Sequence, residues 1–233
     1  MTTNVMFAVA GVSTPVLVIV GFIVLGLLLF GPLVLGAVLI QERQVGIVVK
    51  RFGRRGLAPG RLIALGGEAG YQADTLAPGL HFGYWRWQYR IIKVSVTVVP
   101  QGEIALVLAA DGAPIPPERI LGKVVDCDNF QDARKFLLNG GEKGRQLGIL
   151  TAGTYRINSA LFTAITSASA PEHGMAPEQL LLERVEPDQV GIATTLDGRP
   201  IEAGEIAGPV IPGHDNFQNA QAFIDGGDRK SVV

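Results

Sequence analysis

From Pro15 to Ile40 the chain reads "PVLVIVGFIVLGLLLFGPLVLGAVLI", apolar throughout and without a charge. A helix over 15–40 would extend roughly 39 Å at about 1.5 Å per residue, more than the roughly 30 Å core of a bilayer. The pattern therefore predicts a transmembrane helix, with a kink at Gly31-Pro32. A cleaved signal peptide fits less well, because its apolar region is only about 7–15 residues long and follows a basic segment. Residues 1–14 hold no Lys or Arg, whereas Arg43, Lys50, Arg51, Arg54, Arg55 and Arg61 follow the span closely. By the positive-inside rule, 1–14 is expected to be an extracytoplasmic tail and the C-terminal part cytoplasmic. A re-entrant wedge at Gly31-Pro32, with both ends cytoplasmic, fits the same pattern.

Beyond Ile40 the period shortens. β-branched runs alternate with Gly/Pro turns, and whole phrases recur. "GEAGYQADTLAPG" at 67–79 returns as "GEKGRQLGILTAG" at 141–153. "QVGIVV" at 44–49 returns as "QVGIAT" at 189–194, with "GEIALVL" at 102–108 as a looser counterpart. "DGAPIPPERILG" at 111–122 and "DNFQDARKFL" at 128–137 return at 197–208 and 215–224. Self-similarity on this scale predicts tandem small modules. The first covers 42–100 and the second 101–170; a linker, 171–187, precedes a truncated third over 188–227. Residues 228–233 break the repeat. Their back-translation matches the opening of a common sequencing adapter, so they are expected to be read-through, with the natural chain continuing.

Local signals fill in the modules. Asp-Gly at 111–112 and 197–198 predicts hairpin turns. Asp128 with Gln131, and Asp215 with Gln218, have the spacing of an N-cap and its N3 partner. The helix so predicted carries Phe130, Ala133, Phe136 and Leu137 on its apolar face and stops at Asn139-Gly140-Gly141. The expected fold class is a membrane-anchored α+β chain, mostly β: one transmembrane helix, then tandem β-rich modules, the second and third each with a short helix.

Charge and candidate chemistry change this picture little. The net charge of −1 offers no global basic field for nucleic acid. Cys127 stands alone, so it forms no internal disulfide and reads as a buried thiol. "DCDNFQD" groups Asp126, Asp128, Asn129 and Asp132, but it lacks the Gly and Glu of a calcium loop. Its repeat, "GHDNFQN", keeps only the Asp-Asn pair, which suits a helix cap rather than a metal. His81, His173 and His214 have no ligand spacing, and no nucleophile or phosphate-loop motif is present. No catalytic residue, metal or cofactor is expected, and the chain does not read as an enzyme. "HFGYWRWQYR" reads as a strand burying Phe82, Tyr84 and a Trp, in preference to a stacking surface for single-stranded nucleic acid. The candidate anionic-lipid-facing residues are Arg43, Lys50, Arg51, Arg54 and Arg55, at about 1 kcal/mol each beside an anionic leaflet.

From about Glu42 to Leu161, and through the third module to Gly227, the chain resembles the SPFH/band 7 (prohibitin-homology) superfamily, in particular the N-terminal part of bacterial flotillin-like proteins. The resemblance rests on Val45–Val48, Phe52-Gly53, Leu76–Phe82 and Val94–Val98. It implies a non-catalytic scaffold in the inner membrane that forms homo-oligomers when full-length and organises lipid microdomains. A second reading is an accessory regulatory subunit of a membrane protease or transporter. The long Glu/Ala-rich coiled coil of flotillin-like proteins is absent here. The modules also resemble the tandem β-domains of the major vault protein, a likeness of fold alone.

Overall fold

The computed structural model describes residues 14–117, 119–195, 197, 199–200, 204, 210–215, 217–227 and 229–230. The expected tail over 1–14 therefore lies outside the described residues except for Thr14. So do 228 and 231–233 of the adapter-like segment, and most of the 197–208 repeat.

Helix α1 runs Thr14–Val34. Among the described residues no helix is long and apolar enough to cross a membrane. The transmembrane helix expected over 15–40 is thus not shown, and the membrane-anchored fold class is corrected to a mostly β chain with helices. The break comes at Gly36, whose φ of +61° is left-handed backbone that glycine tolerates. The chain then leaves as strand β1 (Val38–Ile40), which pairs antiparallel with β5 (Gly79–His81). The end of the apolar run is therefore a turn and a strand, not helix.

Two modules follow with the same plan. In the first, β2 (Gln44–Lys50) is central, with β4 (Gly70–Leu76) on one side and β6 (Tyr89–Ser95) on the other. A short β3 (Ile63–Ala64) lies parallel to β4. In the second, β8 (Ala105–Ala109) is central between β9 (Gly144–Leu150) and β11 (Phe162–Ile165). Gly122 bridges Gln146 in parallel, where β3 sits in the first module. The pair β7 (Thr97–Val99) and β10 (Gly153–Tyr155) repeats the β1–β5 pair. Even the irregularity repeats: the register slips between Ile47 and Val49 in one central strand and between Leu106 and Leu108 in the other.

The repeated G-E-x-G-x-Q segment has a physical reason. The Gln72 side-chain amide donates to the carbonyls of Glu68 (2.8 Å) and Gly70 (2.9 Å). Gln146 does the same to Glu142 (2.6 Å) and Gly144 (2.9 Å). The amide NH2 supplies the two donors that close this turn. The second glycine, Gly70 or Gly144, has φ of +116° or +118°, a conformation that side chains rarely adopt. The glutamate accepts a backbone N–H from the preceding turn, Gly66 for Glu68 (2.8 Å) and Lys123 for Glu142 (2.7 Å).

The modules are joined by side chains that reach backward. Asp111, expected to mark a hairpin, is 1% exposed and serves the first module instead. Its Oδ2 accepts the backbone N–H groups of Leu62 (2.7 Å) and Ile63 (3.0 Å). No strand follows directly after Gly112, so the hairpin reading is corrected. Asp197 repeats the act one module later, accepting from Ile120 (3.1 Å) and Leu121 (3.0 Å). Arg134 donates to both carboxylate oxygens of Asp74 (2.8 and 2.6 Å) and to the Leu65 carbonyl. These bonds hold the Asp74 carboxyl below its usual range. Their stabilisation is therefore present above the unfolded pKa and lost as pH falls through the lowered one. An exposed pair of this kind is worth about 1 kcal/mol at most. Gln221 occupies the matching place in the third unit and accepts the Val124 N–H at 3.0 Å.

Helix α2 (Ala133–Leu138) starts later than the D-x-x-Q spacing predicts. Asp128, Asn129 and Phe130 all have positive φ, between 50° and 62°, so they form a left-handed turn and not a cap. Asp132 is the N-cap, accepting the Lys135 N–H at 2.8 Å. In α3 (Ala220–Asp225), Asn219 takes its place and Asp215 again has positive φ. The strained turn persists because it drives Phe130 into a cluster with Phe136 and Phe162, at ring separations of 6.2 and 5.4 Å. Asp132→Ala is accordingly expected to cost about 0.5–2 kcal/mol. In a urea titration of both variants Asp128→Ala should cost less, and the reverse order would restore the earlier cap.

The expected linker folds back on the second module. Leu180 is buried with Ile165 and Ala170, and Leu182 N–H donates to Gly102 O at 2.8 Å. The expected strand at 189–194 is not formed: Val190 and Ile192 are 92% and 91% exposed. In the first two modules this strand is held from both sides, and among the described residues no strand lies beside it here. Strand β12 (Arg199–Pro200) lies in the third unit and pairs in parallel with β13 (Arg229–Lys230), which belongs to the adapter-like segment.

Candidate membrane interface

Helix α1 buries no large described side chain. Val16 to Val20 are all exposed, and five consecutive residues at 100° each pass more than once around a helix. Its apolar surface therefore points in every direction, unlike a helix packed on a core.

The end of α1 is clamped by a loop from the first module. Gly83 N–H donates to Leu35 O (2.9 Å), Tyr84 N–H to Gly36 O (3.0 Å), and Trp85 Nε1 to Val34 O (2.7 Å). Three carbonyls that a helix end leaves open are thereby satisfied. A Cβ on Gly36 would stand 2.8 Å from the backbone nitrogens of Tyr84 and Trp85, so only glycine admits this loop.

The loop itself differs from expectation. Residues 82–88 form no strand; Tyr84 alone turns inward, packing near Ile40, Val48 and Leu76 with Tyr89. Phe82 and Trp87 are 57% and 64% exposed, and Trp85 stacks on Trp87 with ring centres 6.4 Å apart. Burial of Phe82 and a Trp is thus corrected. With Leu35, Leu39 and Leu80, also exposed, these rings continue the apolar surface of α1 onto the module.

A groove of about 520 Å³ lies between α1 and the sheet. Leu29, Phe30 and Leu33 form one wall; Tyr84, Tyr89 and Ile91 belong to the other, and Arg86 and Lys93 also line it. Tyr89, Ile91 and Lys93 alternate along β6 and so share one face.

The five candidate lipid-facing residues are divided by the fold. Lys50, Arg54 and Arg55 line one cavity of about 660 Å³ with Phe52, Glu68 and Gln88. Arg51 adjoins it, its N–H donating to Gln88 O at 2.8 Å. Arg43 lies at the other end of β2, roughly 20 Å away at about 3.3 Å per residue. Lys50 Nζ already donates to Gly67 O at 2.6 Å. Glu68 brings a negative charge into this cavity; its own backbone N–H, that of Gly66 and nearby Arg55 hold its carboxyl below the usual range. The cavity is therefore partly satisfied from within.

Charge is nevertheless segregated on a larger scale. Residues 42–100 contain nine Lys or Arg and three acids, Glu42, Glu68 and Asp74, a formal +6 in a chain whose total is −1. No Asp or Glu occurs from 75 to 102, the segment that carries the Trp loop and β6. The remaining modules are correspondingly acidic. Net charge over the whole chain hides this asymmetry; charge counted module by module reveals it.

Two of the histidines have structural partners. His81 Nε2 lies 2.8 Å from Ala77 O, and His214 Nδ1 accepts the Phe217 N–H. Burial pushes the Cys127 thiol up, away from thiolate chemistry. Among the described residues no three His, Cys, Asp or Glu gather as a metal site. Compared with known proteins, the chain matches no family model, no curated protein and no solved structure.

Proposed function

We propose that the chain is a non-catalytic scaffold of the SPFH/band 7 type, working at the cytoplasmic face of a membrane. The observation that carries this reading is the joint used twice: Asp111 on Leu62 and Ile63, then Asp197 on Ile120 and Leu121. A contact repeated from module to module builds an extended stack, and a stack serves as a platform. The apolar surface of α1 and the +6 charge of the adjoining module support lipid as the phase on which the platform rests.

The test is extraction of the full chain from expressing cells, followed by crosslinking in mild detergent. A membrane-bound pool giving a ladder of self-multiples is expected. One foreign protein at fixed stoichiometry would favour an accessory subunit of a membrane protease or transporter. Recovery in the soluble fraction would remove the membrane from the reading.

A further inference from the structure

We propose that the 82–87 loop seats the first module in the headgroup layer of a bilayer containing anionic phospholipid, with Arg86 and Lys93 taking lipid phosphate at the mouth of the groove beside α1. This rests on the membrane reading above and adds depth, orientation and lipid class. Tryptophan favours the membrane–water boundary because its ring is apolar and its N–H is polar. Here the Trp85 N–H is already satisfied by Val34 O, and the stacked rings of Trp85 and Trp87 remain exposed. The bond fixes the ring pair at the very end of α1, so a module resting on lipid through this face brings both rings to the boundary.

The groove has the character of a phospholipid. Leu29, Phe30 and Leu33 offer an apolar wall for acyl carbons, and Arg86 and Lys93 offer cations for phosphate. Neither cation has an acidic partner within its own segment, 75–102. The cavity beside Lys50 differs, since the Gly67 carbonyl already accepts from Lys50 and Glu68 brings a negative charge into it. Charge complementarity therefore selects the groove beside α1.

Trp85 and Trp87 are the only tryptophans in the chain, so its intrinsic emission reports on this loop alone. The full chain is reconstituted into vesicles of equal parts phosphatidylcholine and phosphatidylglycerol, with bromine on the acyl chains of one lipid or the other. Expected are a blue-shifted emission, stronger quenching by shallow than by deep bromines, and stronger quenching by brominated phosphatidylglycerol than by brominated phosphatidylcholine. The double variant Arg86→Gln, Lys93→Gln, which changes only exposed side chains, should erase the difference between lipids while the blue shift stays. Trp87→Phe should keep a quenched signal from Trp85. Chain that floats with vesicles but shows unquenched tryptophan would overturn the seat and leave the membrane reading intact. Equal quenching by both lipids in the parent chain would overturn the anionic preference. Failure to float at all would overturn both readings.

Discussion

Asp111→Ala is expected to cost about 3–5 kcal/mol and to open the joint between the first two modules before either unfolds. The carboxylate is 1% exposed and satisfies three backbone donors: Leu62, Ile63 and its neighbour Gly112, the last at 2.8 Å. Arg61 approaches its other side at 3.6 Å. Alanine would leave these donors without an acceptor, and each buried orphan costs about 1–3 kcal/mol. Asp111→Asn keeps one oxygen but turns an NH2 toward N–H groups, so it should lose less. Urea unfolding followed by circular dichroism gives the magnitude. Trypsin cleavage after Arg61 gives the location, because opening the joint frees the backbone at 62–63 from Asp111 and uncovers Ile63. A loss below about 1 kcal/mol with unchanged cleavage would mean that the joint is held by something else.

The repeat was legible because G-E-x-G-x-Q is a local device: its glutamine donates to carbonyls within four residues. The joint was not, because Asp111 acts on residues nearly fifty positions earlier. In sequence, Asp-Gly at a joint is indistinguishable from Asp-Gly at a hairpin. The cap was misplaced for a related reason. Phe130 fits the apolar period of the helix, yet it reaches the core from a left-handed turn, which Asp and Asn tolerate and Phe does not favour. Hydropathy likewise could not separate α1 from β1. An exposed apolar helix and a strand facing a small core read alike, and Gly36 was the only mark between them. The alternation in "HFGYWRWQYR" suggested a strand, but over 82–88 only the Tyr84 ring is turned inward; the clamp on Val34, which holds Trp85, has no sequence signature.

On the membrane reading proposed above, removing α1 is expected to change how the chain holds lipid, not merely how tightly. Burying one large apolar side chain is worth about 1.5–3 kcal/mol, so even five of those exposed on α1 exceed what salt or dilution can reverse. A chain beginning at Leu35 retains the +6 module and the Trp loop. It should still float with phosphatidylglycerol vesicles at low salt, since each Lys or Arg near the surface adds about 1 kcal/mol. At about 0.5 M salt the screening length falls below roughly 5 Å, and this binding should disappear. The parent chain should stay bound under the same conditions and leave only with detergent. Circular dichroism of the shortened chain provides the folding control, because Trp85 loses the Val34 carbonyl that it caps. Salt-resistant flotation of the shortened chain would show that the Trp loop alone holds the bilayer. Salt-sensitive flotation of the parent would show that α1 is covered by protein instead.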